Sequence, residues 1–171
     1  QEVGSTIQLQ VLTTGAWCYY MNNTANGPVY GKLYNWYAVN DPRGLAPEGY
    51  HIPSSSEWTA LTECLGVYGA GFNMKEAGNL HWETIYYTIG IGSTGVKGGG
   101  NNTSGFTGLP GGYRYHYGAF NGLTSVGTCW SFEKNISLVA SFELDSDSDY
   151  ARISSSGGVK AMGYSVRCVK N

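Results

Sequence analysis

The stretch Pro53-Ser54-Ser55-Ser56-Glu57-Trp58-Thr59-Ala60-Leu61-Thr62-Glu63-Cys64-Leu65-Gly66 gives the sharpest local reading in the chain. Ser54 followed three residues later by Glu57 is a capping box, which satisfies two backbone N–H groups at a helix start. Trp58, Leu61 and Leu65 then recur at i, i+3 and i+7, one apolar face. Gly66 supplies the stop. The spacing predicts an amphipathic helix from Ser54 to about Leu65 with one face in a core.

Upstream, Leu33, Trp36 and Tyr37 fall at i, i+3 and i+4, which predicts a short helix beginning near Val29. Asp41-Pro42-Arg43-Gly44 ends it. Thr6 to Leu12 alternates weakly, as a strand would. Downstream of Gly66 the texture changes. Gly69 to Gly112 is dense in glycine and reads as loops with short strands. Tyr164-Ser165-Val166-Arg167-Cys168-Val169 alternates apolar and polar residues, the clearest strand signal. The order is two early helices, then an irregular β-rich half: an α+β chain, read as a single domain over 1–171.

Composition narrows the function classes. Hydrophobic residues are 42% of the 171, enough for a core, while charged residues are only 13%, too few for a solvated disordered tail. The net charge of −2 offers no basic field to attract nucleic acid. No apolar run approaches a membrane span, so no membrane insertion is expected. Gln1-Glu2-Val3 reads as the start of a trimmed or mature chain. Fourteen tyrosines and 26 glycines suit loop-rich binding surfaces, where Tyr supplies stiff contact area with a polar tip. Cys18, Cys64, Cys129 and Cys168 allow two disulfides in three pairings, or thiols; spacing cannot choose.

Four ordered motifs carry a family resemblance. They are Tyr30-Gly31-Lys32-Leu33-Tyr34-Asn35-Trp36-Tyr37-Ala38-Val39; Leu45 to Pro53 with Glu57-Trp58; Ser104 to Arg114; and Gly163 to Lys170. Together they resemble the Fibrobacter succinogenes major paralogous domain family, from about Trp17 to the end. The resemblance implies a C-type-lectin-like fold, with two helices flanking a twisted, mostly antiparallel sheet and long loops on one side. It implies core roles for Trp36, Trp58, Phe106, Tyr113 and Trp130, and a tight turn at Gly111-Gly112.

The region between the last two motifs, 115–162, resembles the variable part of diversity-generating retroelement proteins. Such elements rewrite adenines, and an asparagine codon altered only there cannot become Lys, Glu, Gln, Met or Trp. Between Tyr115 and Tyr164 those types are confined to Trp130, Glu133, Lys134, Glu143, Lys160 and Met162. Tyr115 to Cys129 and Leu144 to Val159 carry none. The expected ligand-binding residues are Tyr115, His116, Tyr117, Thr124, Ser125, Val126, Thr128, Phe132, Asn135, Ile136, Phe142, Asp145, Asp147, Asp149, Tyr150, Ser154 and Ser155. Aromatic anchors among small polar residues are what adaptable recognition surfaces use. The resemblance implies a protein or glycan ligand, and an extracellular, cell-surface or virion location. The alternative is an undiversified secreted or surface domain with a structural or adhesive role.

Chemistry is not expected. His51 reads as structural, His81 as a loop residue before Trp82, His116 as part of the recognition surface, and none is tied to a nucleophile. Cys168 reads as an inward, inert thiol or a disulfide rather than as half of a formylglycine-type cysteine pair. Asp145, Asp147 and Asp149 alternate, so on a strand all three carboxylates would share a face. They lack the glycine and closing glutamate of an EF-hand loop, and read as a solvent-facing stripe. No catalytic residue, metal or cofactor is assigned.

Overall fold

The computed structural model describes residues 13–91, 93–133, 139–154 and 159–171. The expected strand Thr6–Leu12 lies outside them. The fold is mixed α+β, dominated by strands, with short helices and mostly antiparallel pairing.

Near the N-terminus, β1 (Trp17–Cys18) pairs antiparallel with β2 (Leu33–Tyr34). Between them lies α1 (Gly27–Tyr30), and directly after them α2 (Trp36–Val39). The single helix expected here is thus two one-turn helices split by a strand. Gly31, at φ 72°, breaks the first, and pairing with β1 holds Leu33 and Tyr34 extended. Asn35 then starts α2: its Oδ1 accepts the Ala38 N–H at 3.0 Å and the Ala16 N–H at 2.9 Å. A buried side chain so fully used fixes both segments at once.

After β3 (Tyr50–His51) comes α3 (Ser55–Cys64), with Ser54 as N-cap and the capping box closed in both directions. Trp58 is buried, and Leu61 and Leu65 pack beside it as the spacing predicts. A fourth helix, α4 (Ala70–Met74), stands where loops were expected. It tolerates Gly71 because the backbone of Tyr150 approaches so closely that a Cβ would sit 2.4 Å from its carbonyl oxygen.

Strands β4 (Ile85–Gly90) and β5 (Ser93–Lys97) form a separate hairpin. The main sheet comprises β6 (Gly111–Arg114), β7 (Phe120–Leu123), β8 (Val126–Ser131), β9 (Ala140–Asp145) and β10 (Ala151–Ser154). Its order is β10-β9-β8-β6-β7, antiparallel except between β6 and β8. Gly111-Gly112 is strand rather than turn. Gly112, at φ 64°, lets the Asn121 carbonyl approach to within 2.6 Å of where a Cβ would be. The chain closes on β11 (Val169–Lys170), paired with β3.

The strand expected over Tyr164–Val169 is instead a seam of single bridges. Gly163 meets Arg114, Tyr164 meets Tyr34, and Ser165 meets Cys129. The segment thereby ties β6, β2 and β8 together, which a strand with only two neighbours could not do. The four cysteines are thiols rather than disulfides.

Candidate functional site

Alternation along β9 assigns its two faces different tasks. Ala140, Phe142 and Leu144 are buried, while Ser141, Glu143 and Asp145 are only partly covered. Phe142 stacks on Trp58 of α3, with ring centroids 4.1 Å apart and 10° between planes. Leu144 joins the same cluster, as do Ala151 and Ile153 of β10. The pairing register puts Val126, Thr128 and Trp130 of β8 on the opposite face, beside Asp145, Glu143 and Ser141.

Arg152 of β10 lies across from Glu143 and donates to Glu143 at 2.8 Å and to Asp145 at 2.9 Å. All three side chains are partly exposed, so the pairing orients them more than it stabilises the fold. The Thr128 hydroxyl, opposite Glu143 in register, has no hydrogen-bond partner among the described residues.

From the deep end of this face a continuous series of rings rises to solvent. Trp36 meets Trp130 at 5.7 Å, and Trp130 meets Tyr164 at 4.4 Å. Tyr164 meets Tyr113 at 6.2 Å, and Tyr113 meets Tyr115 at 5.2 Å. Tyr115 stacks on Tyr117 at 4.9 Å and 12°. Trp130 is fully buried, whereas Tyr117 is 50% exposed. The Tyr113 and Tyr115 hydroxyls are 3.2 Å apart.

Burial, and then the hydrogen bond with Tyr115, raises the Tyr113 phenol well above its ordinary value. Burial, with the Glu143 carboxylate nearby, pushes Tyr164 up to about 12. Both phenols therefore remain neutral at any ordinary pH, able to donate and to accept. The result is a stiff aromatic surface edged by hydroxyls, carboxylates and one guanidinium. It is equipped for recognition.

The sequence-predicted residues do not all meet on this face. Tyr115, Tyr117, Val126, Thr128, Asp145 and Ser154 belong to this face or its margin, with His116 edge-on to Tyr117 at 5.1 Å. Thr128, however, is buried and forms floor rather than rim. Thr124 and Ser125 make the turn between β7 and β8. Their carbonyls accept the N–H groups of Glu83 and Ser146, so this turn serves as a structural junction.

Two aromatic assignments are corrected. Phe142 is 1% exposed and faces α3, because its strand parity is that of Leu144. Phe132 packs against Trp36 at 6.0 Å in the core. Asn135, Ile136 and Ser155 lie outside the described residues. Sequence reading did not place Tyr113, Ser141, Glu143, Arg152 or Tyr164 on this face.

The acidic run is corrected as well. Strand β9 ends at Asp145, and 146–150 turns away, so the three carboxylates do not line one face. The turn wraps around Lys75, whose side chain is fully buried. Its Nζ donates to the carbonyls of Asp145 and Ser148, each at 3.0 Å, and lies 5.3 Å from the Trp82 ring. Burial lowers the Lys75 pKa, against the pull of Asp149 and Asp145. Lys97 donates to the Asp147 carbonyl at 2.7 Å. Tyr150 turns to Tyr68, at 5.8 Å. The run thus receives internal cations.

His51 and His81 make links within the fold. His51 bridges Glu57 at 2.7 Å and Asn171 at 2.6 Å, tying the start of α3 to the last residue. His81 bonds Glu76 at 2.9 Å. Burial pushes the Cys129 thiol up to about 12. Among the described residues, no group of three or more His, Cys, Asp or Glu could hold a metal ion. No helix described is long and apolar enough to cross a membrane.

A family model described as the Fibrobacter succinogenes major domain matches residues 2–170. No curated protein and no solved structure matches the chain.

Proposed function

Because this chain belongs to the Fibrobacter succinogenes major domain family, we propose that it is a C-type-lectin-like display protein that binds a protein or glycan on a cell or virion surface. The observation that carries this reading is the ring series ending at Tyr115 and Tyr117 beside Glu143, Asp145 and Arg152. Rings held by a buried root lose little entropy when a partner covers them, which is what makes aromatic anchors effective. The proposal extends to a hypervariable C-terminal surface diversified by a retroelement of a phage or bacterium. The alternating β9, with its core residues on one face only, supports it: the outer face can change without touching Phe142 or Leu144.

Two experiments test it. The wild type and a Tyr115→Ser/Tyr117→Ser variant are screened on glycan arrays and on intact bacterial cells. Binding that the variant loses supports the reading; binding that the variant retains in full overturns the assignment of this face. Sequencing the encoding locus tests diversification. A near-copy of the codons for Tyr115 to Cys168, mismatched at its adenines, supports it. A complete locus without one leaves the undiversified surface domain.

A further inference from the structure

The hairpin β4–β5 stands apart from the main sheet and, among the described residues, pairs with no other strand. From Ile85 to Val96 it carries no charged residue. Tyr87 lies back across its own hairpin, over Gly95, with the Lys97 ammonium 5.6 Å from its ring. The other large residues have no such cover: Tyr86 is 71% exposed, Val96 55%, Ile89 66% and Ile91 fully so. A two-stranded ribbon is marginal in water and gains stability from further strands or a packed face. Apolar patches of this kind on a monomer mark contact sites.

The geometry points to arm-against-arm association with a second copy of this chain. Three observations select that occupant. The one charge of the arm, Lys97 at its base, is held by the Asp147 carbonyl at 2.7 Å, and from Ile85 to Val96 nothing attracts a charged surface or repels an identical arm. Strand β4 is irregular between Thr88 and Gly90, but β5 pairs without a bulge, so its outer edge can take an antiparallel copy about a two-fold axis. The exposed parts of Tyr86, Tyr87, Ile89, Ile91 and Val96 amount to on the order of 600 Å², given that an aromatic side chain covers roughly 150–250 Å². Two arms covered on both faces would bury at most about 1,200 Å², which reaches the lower bound of a specific interface. No residue of the Tyr113–Tyr164 face takes part, so this association does not depend on the ligand reading.

Sedimentation equilibrium over a wide concentration range decides it, on the wild type, on Tyr86→Lys/Ile91→Lys and on Val96→Lys. All three positions lie outside the core clusters, and circular dichroism with thermal melting checks that each variant folds. The wild type is expected to dimerise, with each variant weakening the dimer by about tenfold or more, some 1.4 kcal/mol. A wild type that stays monomeric throughout overturns the inference. So does a dimer that both folded variants leave intact.

Discussion

Replacing Lys75 by methionine tests whether the buried ammonium organises the acidic turn or merely sits beneath it. The two side chains are similar in length, so the substitution removes the charge and the donors while largely keeping the volume. The carbonyls of Asp145 and Ser148 each lose a donor 3.0 Å away. The Asp145 carbonyl keeps the Ser148 N–H at 3.3 Å, whereas a buried acceptor left unpaired at Ser148 costs about 1–3 kcal/mol. Methionine returns part of that, because an ammonium no longer has to be kept from water, and such relief can reach several kcal/mol. The expected net loss is about 1 kcal/mol. Equilibrium unfolding in urea, followed by tryptophan fluorescence, measures it, and Trp82 beside the ammonium reports the local change. A variant as stable as the wild type would refute the reasoning, because the turn would then not need its cation.

The pH dependence gives a second readout of the same substitution. The folded pKa of Lys75 lies below its unfolded value. The folded state therefore binds fewer protons between the two, and stability gains as pH rises through that window. The wild-type margin over Lys75→Met should widen as pH rises through the folded lysine value toward the unfolded one.

Other outcomes follow from the same geometry. Phe142→Ala should cost about 3–5 kcal/mol in chemical denaturation and Tyr117→Ala no more than about 0.5, since one is core and the other rim; similar losses would contradict the assignment of faces. His51 has its pKa raised by hydrogen bonds to Glu57 and then Asn171. Its contribution is therefore complete below the unfolded histidine value and lost as pH rises through the folded one. Because the site is exposed, the amount is below about 1 kcal/mol; a ring titration by NMR at or below the free-histidine value would remove the basis for it. Thiol labelling of the folded chain should modify exposed Cys64 rapidly and Cys129 only on unfolding. Rapid labelling of Cys129 would mean that the α3 side of the sheet is open.

Helix α3 was legible because every signal for it is local: the cap, the acidic partner and the apolar stripe lie within twelve positions. The earlier helix was misread because Leu33, Trp36 and Tyr37 are spaced as a helix would space them, yet Leu33 is held by β1, a contact that spacing does not contain. Helix α4 was hidden by Gly69 and Gly71, the latter being glycine for the sake of the Tyr150 backbone rather than to break a helix. The alternation Phe142-Glu143-Leu144-Asp145 puts Phe142 on the core face with Leu144, whatever its aromatic character suggests. Tyr113 is given a core role by the family resemblance, and Tyr164 lies in the closing motif read as a strand. In fact they do both jobs, packing inward and presenting hydroxyls along the open face. Nothing near Lys75 in sequence announces its partners, which lie seventy or more positions away.

The strict alternation of β9 has a consequence for how this protein can change over generations. One residue inserted into or removed from the strand would carry Phe142 and Leu144 toward solvent and send Glu143 against Trp58. Exchange of one letter for another at Ser141, Glu143 or Asp145 leaves the parity untouched. Variation on this face is therefore open to point changes and closed to changes of length. A lineage that explores new partners here should show strands of constant span bearing different side chains.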